Sequence, residues 1–457
     1  MSSRYKGLCF SMEDDQPIVE DETPVVEVPA EVEAGAAEVT EEAGDIGDLN
    51  EAIDSTVTDL ETLEEVRDVL SDSVEAGEGV SEPTAAVTEI AVESICARLG
   101  LHGKKLMPAM ESFGSKNSRL AATRVAVESI TETIKAVWQK LMTWIKTMWE
   151  KVKAFFVKLF DQNLRLEKAA TAMKASVLAL DDAYVSKEKE FDAKGIASDF
   201  VASGTLTAGK VEEVLALHGA VTASLTKAFG DAIGIFKSSD EVVKKIVESK
   251  GEKLEAIQGE LQATLANGSG SVGEAFKSIS GVKTTSKKNG VEEYTAGPFV
   301  GGYTIAVTSN EKNKKGEAGF VLNVDFKAGE SKAEKVKNLT KEEKTKICDE
   351  VLGLCKATAA YKQDQAKVEE MAKISSKVIN DVISGLGKLY GAANGTGESA
   401  VAKPLAEVRT ALQATTNTAV KLAANVPSFN VRAGKAALSY VGASLKQYGA
   451  KAEPAAK

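Results

Sequence analysis

The residue types that usually carry catalysis are scarce in this chain. It has two histidines, His102 and His218, and no serine or cysteine lies in a recognisable motif with a base. The phosphate-binding motif Gly-x-x-x-x-Gly-Lys-Ser/Thr is missing, and no Gly-x-Gly-x-x-Gly segment follows a strand pattern and opens a helix. We therefore expect no enzymatic activity, no cofactor and no metal site, and we expect His218 to end a helix over residues 211–217.

The four cysteines are too sparse for a disulfide framework or a metal motif. Cys348 and Cys355 lie seven residues apart on a predicted helix, about 10 Å along its axis, so they cannot bridge within it. We expect these cysteines to be buried, free thiols.

One tripeptide is a candidate site for proteolytic cleavage of the chain. The first 111 residues hold 28 Asp and Glu against 6 Lys and Arg, whereas the other 346 hold 39 against 50. The sign changes near Ala109-Met110-Glu111-Ser112, where a small residue, any residue and Glu precede another small residue. A cut after Glu111 would separate an acidic leader of net charge −22 (residues 1–111) from a body of +11 (residues 112–457).

The leader has the composition of a segment that does not fold alone. Its aromatic residues are Tyr5 and Phe10, and it holds five of the nine prolines. Such a segment buries too little apolar surface to offset the entropy lost on ordering. We expect disorder from residue 11 to about residue 85, with marginal helix near Leu60 and Leu70.

The body begins with a long amphipathic helix. From Ser118 to about Ala183 there is no proline or glycine, and all three tryptophans lie here. The apolar stripe steps by three and four through Val137, Leu141, Trp144, Met148, Val152, Phe155 and Leu159. The opposite face is basic, through Lys135, Lys140, Lys146, Lys151, Lys153 and Lys158. Such a helix packs in its own bundle, which we favour, or binds a membrane or a partner.

The period of the pattern changes twice further along the chain. Residues 183–265 keep a helical pattern, broken at Gly195, Gly204 and near Gly230, and the stretch 267–273 predicts a flexible joint. Residues 279–328 alternate in hydropathy and predict a small antiparallel β-meander with one apolar face. Asn289-Gly290 is a strong signal for one of its hairpin turns.

Helix resumes at Thr340, whose capping box with Glu343 predicts a helix to about Tyr390. Two basic, Ala-rich helices divided near Pro427 are predicted for the end of the chain. The predicted fold is mainly α, an elongated helical bundle with a small antiparallel β-meander insertion and a disordered acidic leader. Its expected units are the leader 1–111, a helical body 112–278, the β insertion 279–328, a helical continuation 329–397 and C-terminal helices 398–457.

Charge is the remaining guide to partners. No run of 18 or more apolar residues predicts a membrane-spanning helix. Lysine clusters of the body predict loose, salt-sensitive contact with phosphate backbones, without sequence recognition. The residues expected to make this contact are Lys244, Lys245, Lys250, Lys253, Lys312, Lys314, Lys315, Lys335 and Lys337. A tethered acidic leader would compete with polyanions for such lysines.

An acidic leader that ends in small-x-Glu, followed by a helical body without catalytic residues, resembles the internal head (inner-body) proteins of phiKZ-like giant bacteriophages. Residues 91–129 carry the resemblance most directly. It implies that a prohead protease cuts the precursor after Ser/Ala/Gly-x-Glu during capsid maturation. It also implies a mature protein inside the head, beside packaged DNA and other head proteins, and in some members ejection into the host cytoplasm.

The tripeptide is common here, so position must select the cleavage site. Matches end at Glu13, Glu38, Glu75, Glu78, Glu93, Glu111, Glu128, Glu188, Glu241 and Glu330. A protease needs an extended, accessible segment, and Glu111 follows Pro108 in a loop-like stretch beside the charge change. We therefore predict cleavage at Ala109-Met110-Glu111-Ser112. Ala91, Glu93 and Ser94 form a secondary, earlier site, and Glu128 is disfavoured because it lies in the long helix.

Three functional hypotheses follow. The first is a non-enzymatic virion protein, matured by cleavage and packaged with DNA. The second is a membrane-active helical protein whose Trp-rich helix is unmasked when the leader is lost. The third is a scaffold or interaction protein with a solubilising acidic tail. We favour the first, and membrane contact is not favoured.

Overall fold

The computed structural model of the chain describes most of its helical body and much of its leader. The described residues are 27–180, 184–186, 189–200, 205–248, 274–279, 282–286, 292–312, 318–327, 335–362, 366–367, 369–370, 373–374, 377, 381 and 398–450. Among them, no helix is long and apolar enough to cross a membrane.

Long helices dominate the described chain. The helices are α1 (Ala30–Glu75), α2 (Glu82–Arg98), α3 (Lys116–Leu178), α4 (Lys194–Asp199), α5 (Ala208–Glu248), α6 (Lys341–Ala360) and α7 (Glu398–Leu445). The strands are β1 (Tyr184–Ser186), β2 (Glu190–Asp192), β3 (Lys283–Ser286), β4 (Glu292–Ala296), β5 (Thr304–Lys312), β6 (Ala318–Lys327), β7 (Lys335–Lys337) and β8 (Tyr448–Ala450). The predicted fold class, a mainly α bundle with a small antiparallel sheet, is confirmed.

Helix α1 corrects the prediction of a disordered leader, which is wrong from residue 30 onward. Its buried apolar residues follow one face: Val32, Ala36, Val39, Ala43, Ile46, Ile53, Val57, Leu60, Leu63 and Leu70. That face packs against α3 and α7. Composition describes the leader as an isolated segment, but the body supplies the apolar partner that stabilises this helix. Residues 1–26 lie outside the described residues.

The long Trp-rich helix α3 confirms the sequence prediction. A capping box between Ser115 and Ser118 begins it, and its apolar stripe is buried, with Trp138 at 2 % and Trp149 at 4 % exposure. Helix α3 packs against α1 of the leader and against α6 and α7, so the prediction that α3 packs within its own bundle is confirmed. Helices α1 and α3 run antiparallel: Lys158 contacts Glu38 at one end, and Arg119 donates a 2.8 Å hydrogen bond to the Glu78 carbonyl at the other.

Residues 183–265 are less uniformly helical than predicted. Strands β1 and β2 precede α4, and they pair antiparallel with the distant β8 and β7. The predicted helix break near Gly230 is absent, because α5 continues through it to Glu248. One glycine costs a helix only about 1 kcal/mol, so packing along the helix can override it. The predicted joint at residues 267–273 lies outside the described residues.

The predicted meander is confirmed as a four-stranded antiparallel sheet in the order β3-β4-β5-β6. Its register sets Ile305 opposite Phe326 and Val307 opposite Val324. Ile305 and Val307 are fully buried and belong to the bundle core. The proposed turn at Asn289-Gly290 lies outside the described residues.

The capping box at the start of α6 is confirmed. Thr340 Oγ1 accepts the Glu343 N–H at 3.1 Å, and Glu343 accepts the Thr340 N–H at 2.8 Å. The helix ends at Ala360, and a turn follows at Tyr361. The positions described beyond it, 362, 366–367, 369–370, 373–374, 377 and 381, are helical, and the rest of the predicted stretch to Tyr390 lies outside the described residues.

The predicted pair of C-terminal helices is wrong, because α7 is one helix that continues through Pro404 and Pro427. A proline inside a helix removes a hydrogen bond and costs about 3 kcal/mol. Buried neighbours on both sides of Pro427, among them Val426 and Val431, hold the helix in the core. Helix α7 touches α1, α3, α5 and α6 and forms the centre of the bundle.

Candidate functional site

The predicted cleavage site lies in the connection between α2 and α3. Residues Met110–Phe113 form a single 3₁₀ turn, in which the Ser112 N–H donates to the Ala109 carbonyl at 2.9 Å. Ala109 and Glu111 are exposed, whereas Phe113 is buried at 1 % exposure and fixes the turn to the core. A protease can reach this segment by unfolding one short turn.

The secondary site differs in its local structure. Ala91, Glu93 and Ser94 are exposed, but they lie inside α2, and Val92 between them is buried. Cleavage after Glu93 therefore requires α2 to unfold. Glu128, which we disfavoured, lies inside α3 as predicted.

The leader is held on the body by buried polar contacts as well as by its apolar face. Gln162 donates a 2.8 Å hydrogen bond to the Val32 carbonyl, and Trp138 donates to Glu64 at 3.3 Å. The backbone at Gly35 approaches α3 so closely that a Cβ there would lie 1.9 Å from Gln162 Oε1. Asn50 donates to the carbonyl of Asn417 on α7 at 3.4 Å.

Acidic residues of α1 meet cations of α3 in a regular series. The pairs are Glu31 with Arg165 at 4.0 Å, Glu38 with Lys158 at 2.7 Å and Asp45 with Lys151 at 3.7 Å. Both partners step by seven residues, so the three pairs repeat every two turns of the two antiparallel helices. Glu42 also contacts Lys158.

A second series of pairs lies on the α7 side. Lys435 lies 3.9 Å from Glu33, and Lys446 lies 2.6 Å from Glu27. Hydrogen bonds from their lysine partners lower the pKa of Glu38 and of Glu27. The first half of α1 thus lies between two rows of cations, which we call the basic rims. One row is Lys151, Lys158 and Arg165 on α3, and the other is Lys435 on α7 with Lys446 in the turn directly after that helix.

The lysines predicted to contact polyanions are not gathered at one place. Lys244, followed by Lys245, is near the end of α5 and pairs with Asp240 at 2.8 Å. Lys335 and Lys337 lie on β7, whose Val336 bridges Leu206 just before α5 begins. The length of α5 separates these clusters by about 50 Å. Lys312 ends β5, and the other four, Lys250, Lys253, Lys314 and Lys315, lie outside the described residues.

The sequence predicts that Lys151 and Lys158 lie on a basic helix face. It did not lead us to predict that Arg165, Lys435 and Lys446 also pair with the leader. The matching seven-residue spacing of Glu31, Glu38 and Asp45 is the signal that points to the α3 row.

His218 lies inside α5, so the prediction that it ends a helix is wrong. The side chain is fully buried, with Nδ1 3.2 Å from Asn430 Oδ1 and with Nε2 accepting the Val300 N–H at 3.2 Å. Asn430 in turn donates to Thr222 and Thr358. Burial lowers the pKa of His218 to about 4. Both ring nitrogens are engaged, so His218 joins three helices and has no nitrogen left for a substrate.

Lys344 is a second buried ionisable group. It donates to the Leu339 carbonyl and lies 3.6 Å from the centre of the Tyr448 ring, and burial lowers its pKa to about 7. Cys96, Cys348 and Cys355 are buried and free, as predicted for the cysteines, and burial raises the pKa of the Cys348 thiol to about 12. Within the described ranges, no group of His, Cys, Asp and Glu is arranged to hold a metal ion.

Comparison with known proteins identifies the family of this chain. The model of the family "phiKZ-like phage internal head proteins" matches residues 27–443, which include α1 and α2 of the leader and, among the described helices of the body, α3 to α6 and all but the last two residues of α7. No curated protein and no solved structure matches the chain. With most of its length matched, this chain belongs to the phiKZ-like phage internal head proteins and resides inside the virion head.

Proposed function

We propose that this internal head protein is a non-enzymatic precursor that the prohead protease cuts after Glu111 during capsid maturation. The body is then packaged with the genome and is available for ejection into the host cytoplasm. The observation that supports this most strongly is the position of Ala109-Met110-Glu111. It forms an exposed turn where the acidic part of the chain ends and the basic part begins.

The absence of enzymatic activity is supported by the state of the reactive side chains. His218 is buried and fully hydrogen-bonded, and burial disfavours the reactive thiolates of Cys348 and Cys355. These groups stabilise the bundle, so we assign them structural roles. The protein acts through its surface.

A folded leader changes what cleavage achieves. Because α1 packs on α3 and α7, breaking the bond after Glu111 leaves a nicked complex rather than a free body. The change of charge from −11 to +11 needs a second step, in which the leader leaves or is digested. Matches at Glu38, Glu75, Glu78 and Glu93 offer sites for that digestion.

N-terminal sequencing of the protein from purified virions tests the proposal. We expect a chain that starts at Ser112. Virions that hold only the full-length chain contradict the proposed processing, and a start at Ser94 moves the site to Glu93.

A paired substitution makes the test sharper. Glu111→Ala is expected to leave full-length chain in virions, whereas the matched control Glu93→Ala is expected to mature normally, because α2 protects that site. The reverse outcome assigns the processing to Glu93.

The membrane-active alternative requires the Trp-rich stripe of α3 to reach a bilayer. That stripe is buried under α1 and the other helices, so exposure would require loss of the leader. Leakage of anionic liposomes on leader removal would favour this alternative. A full-length chain in the mature head would favour a scaffold role.

A further inference from the structure

The basic rims are the part of the body that the leader neutralises most directly. Their side chains are between 34 % and 50 % exposed although each lies within 4.0 Å of a leader carboxylate. Exposed pairs of this kind contribute little to stability. The seven-residue repeat of three of them follows from the packing of α1 on α3, and it gathers these half-exposed cations into one row that a second anionic partner can reach.

We propose that the basic rims bind the phosphate backbone of duplex DNA, and that carboxylates of the leader, on α1 and just before it, occupy these cations in the precursor. This inference rests on the proposed function, in which the leader is removed inside a head that contains DNA. It places the DNA contact at the cations of the basic rims, which flank α1. The lysine clusters predicted from the sequence lie instead at opposite ends of α5.

The spacing of the cations suits a phosphate backbone. Lys151, Lys158 and Arg165 lie on one face of α3 over about 21 Å, and the second row is Lys435 on α7 with Lys446 directly after its end. One strand of duplex DNA presents a phosphate about every 3.4 Å along the axis, so about six phosphates lie within the length of the α3 row. Several of them can therefore pair with this row at once.

The leader carries the matching anion series. Glu31, Glu38 and Asp45 present carboxylates at the same repeat as the α3 cations, with Glu42 as an additional contact to Lys158. Because they are tethered to the body, these carboxylates act at a high effective concentration. The intact precursor is thereby kept from binding DNA before packaging.

The test uses the full-length chain and a short random-sequence duplex, with fluorescence anisotropy across a salt series. Neutralising the leader carboxylates with E38Q/E42Q/D45N is expected to tighten DNA binding at least tenfold at low salt. The matched control E65Q/D72N/E75Q removes the same charge from exposed α1 positions away from the rims and is expected to change binding less than threefold. Equal effects of the two variants overturn the proposal, because net charge alone would then explain the gain.

A second pair of variants locates the contact. Adding K151Q/K158Q/R165Q to the neutralised chain restores its original net charge and removes the α3 row. We expect the slope of log K against log salt to fall by about 2.7, which is about a 40-fold smaller loss of affinity between about 50 and 200 mM salt.

The matched control adds K104Q/K105Q/K116Q, which are exposed and lie outside the rims. It is expected to keep the steeper slope. Equal slopes in the two combined variants overturn the proposal, as does tighter binding to anionic phospholipid vesicles without tighter binding to DNA. Far-UV circular dichroism must show the same helix content in every variant.

The two proposals fail separately. If DNA binding does not depend on the rims, the DNA-binding proposal fails, and N-terminal sequencing of the virion protein still decides the cleavage site. If the virion protein keeps its leader, the cleavage proposal fails, and the effect of E38Q/E42Q/D45N on DNA binding can still be measured with the purified precursor.

Discussion

A cut after Glu111 is expected to leave the leader bound to the body. The perturbation is a site-specific protease sequence inserted between Pro108 and Ala109, in the exposed connection that precedes α3. Cleavage there breaks one loop and removes no packing contact. The outcome depends on how much the loss of the tether weakens the docking of α1.

The structure sets the size of the two competing terms. Eight branched apolar side chains of α1 are buried to 4 % exposure or less: Val32, Val39, Ile46, Ile53, Val57, Leu60, Leu63 and Leu70. Each of them contributes about 1.5–3 kcal/mol by its burial. The entropy of ordering the helix opposes docking equally before and after the cut. Cleavage replaces an effective concentration of about 1 mM with a protein concentration of about 1 μM, which weakens docking by about 4 kcal/mol. This penalty corresponds to the burial of about one to three of the eight side chains.

Size-exclusion chromatography and native mass spectrometry provide the assay. At micromolar concentration the two fragments are expected to elute together and to give one mass. They are expected to separate in denaturant at a lower midpoint than the unfolding of the intact chain. Prompt elution of a free body immediately after the cut, without denaturant, would refute the reasoning that apolar burial holds the leader.

The other predictions concern single buried groups. Ile53→Ala leaves a cavity under α1 and is expected to lower the free energy of unfolding by about 2–5 kcal/mol in denaturant titrations, whereas exposed Glu65→Ala changes it by less than about 0.5 kcal/mol; equal effects would contradict the packing of α1. Because burial lowers the pKa of His218 to about 4, the unfolded chain takes up this proton first, and stability is lost as pH falls from 6.5 towards 4. NMR at pH 5 should show that the His218 imidazole is neutral and carries its proton on Nδ1. A charged His218 imidazolium at this pH would refute the lowered pKa. Lys344→Met is expected to stabilise the protein at pH 7, and this gain should shrink as pH rises towards 10.5, since the folded state disfavours the charged amine that the unfolded chain retains; a gain independent of pH would exclude this cause.

The parts of the fold that sequence predicts are those whose signal is local. The stripe of α3 and the capping box of Thr340 and Glu343 each lie within one segment, and the meander repeats every second residue. Helix α1 escaped prediction because its buried face is stabilised by residues of α3 and α7 far along the chain. Strands β1 and β2, of three residues each, exist only through pairing with β8 and β7.

The candidate site divides in the same way. The turn at Ala109-Met110-Glu111 was predicted from Pro108 and from the change of charge, which are adjacent in sequence. The basic rims combine α1, α3 and α7, and their assignment needs the antiparallel register of α1 on α3. The sequence also does not predict that α7 continues through Pro427. The local helix propensity of proline opposes a continuous helix there, and burial of the neighbouring side chains in the core overrides that propensity.

The antiparallel pairing of α1 and α3 also fixes the order in which the leader can detach. The cut at Glu111 lies just before α3 begins, whereas Lys158 lies about 60 Å further along that helix. A leader that peels away from the new chain end therefore releases α2 and the last turns of α1 first, and Glu38 and Glu31 last. The rims become free only when separation is complete. Partial detachment from that end therefore exposes apolar surface and releases Arg119, but it leaves the five cations of the basic rims covered.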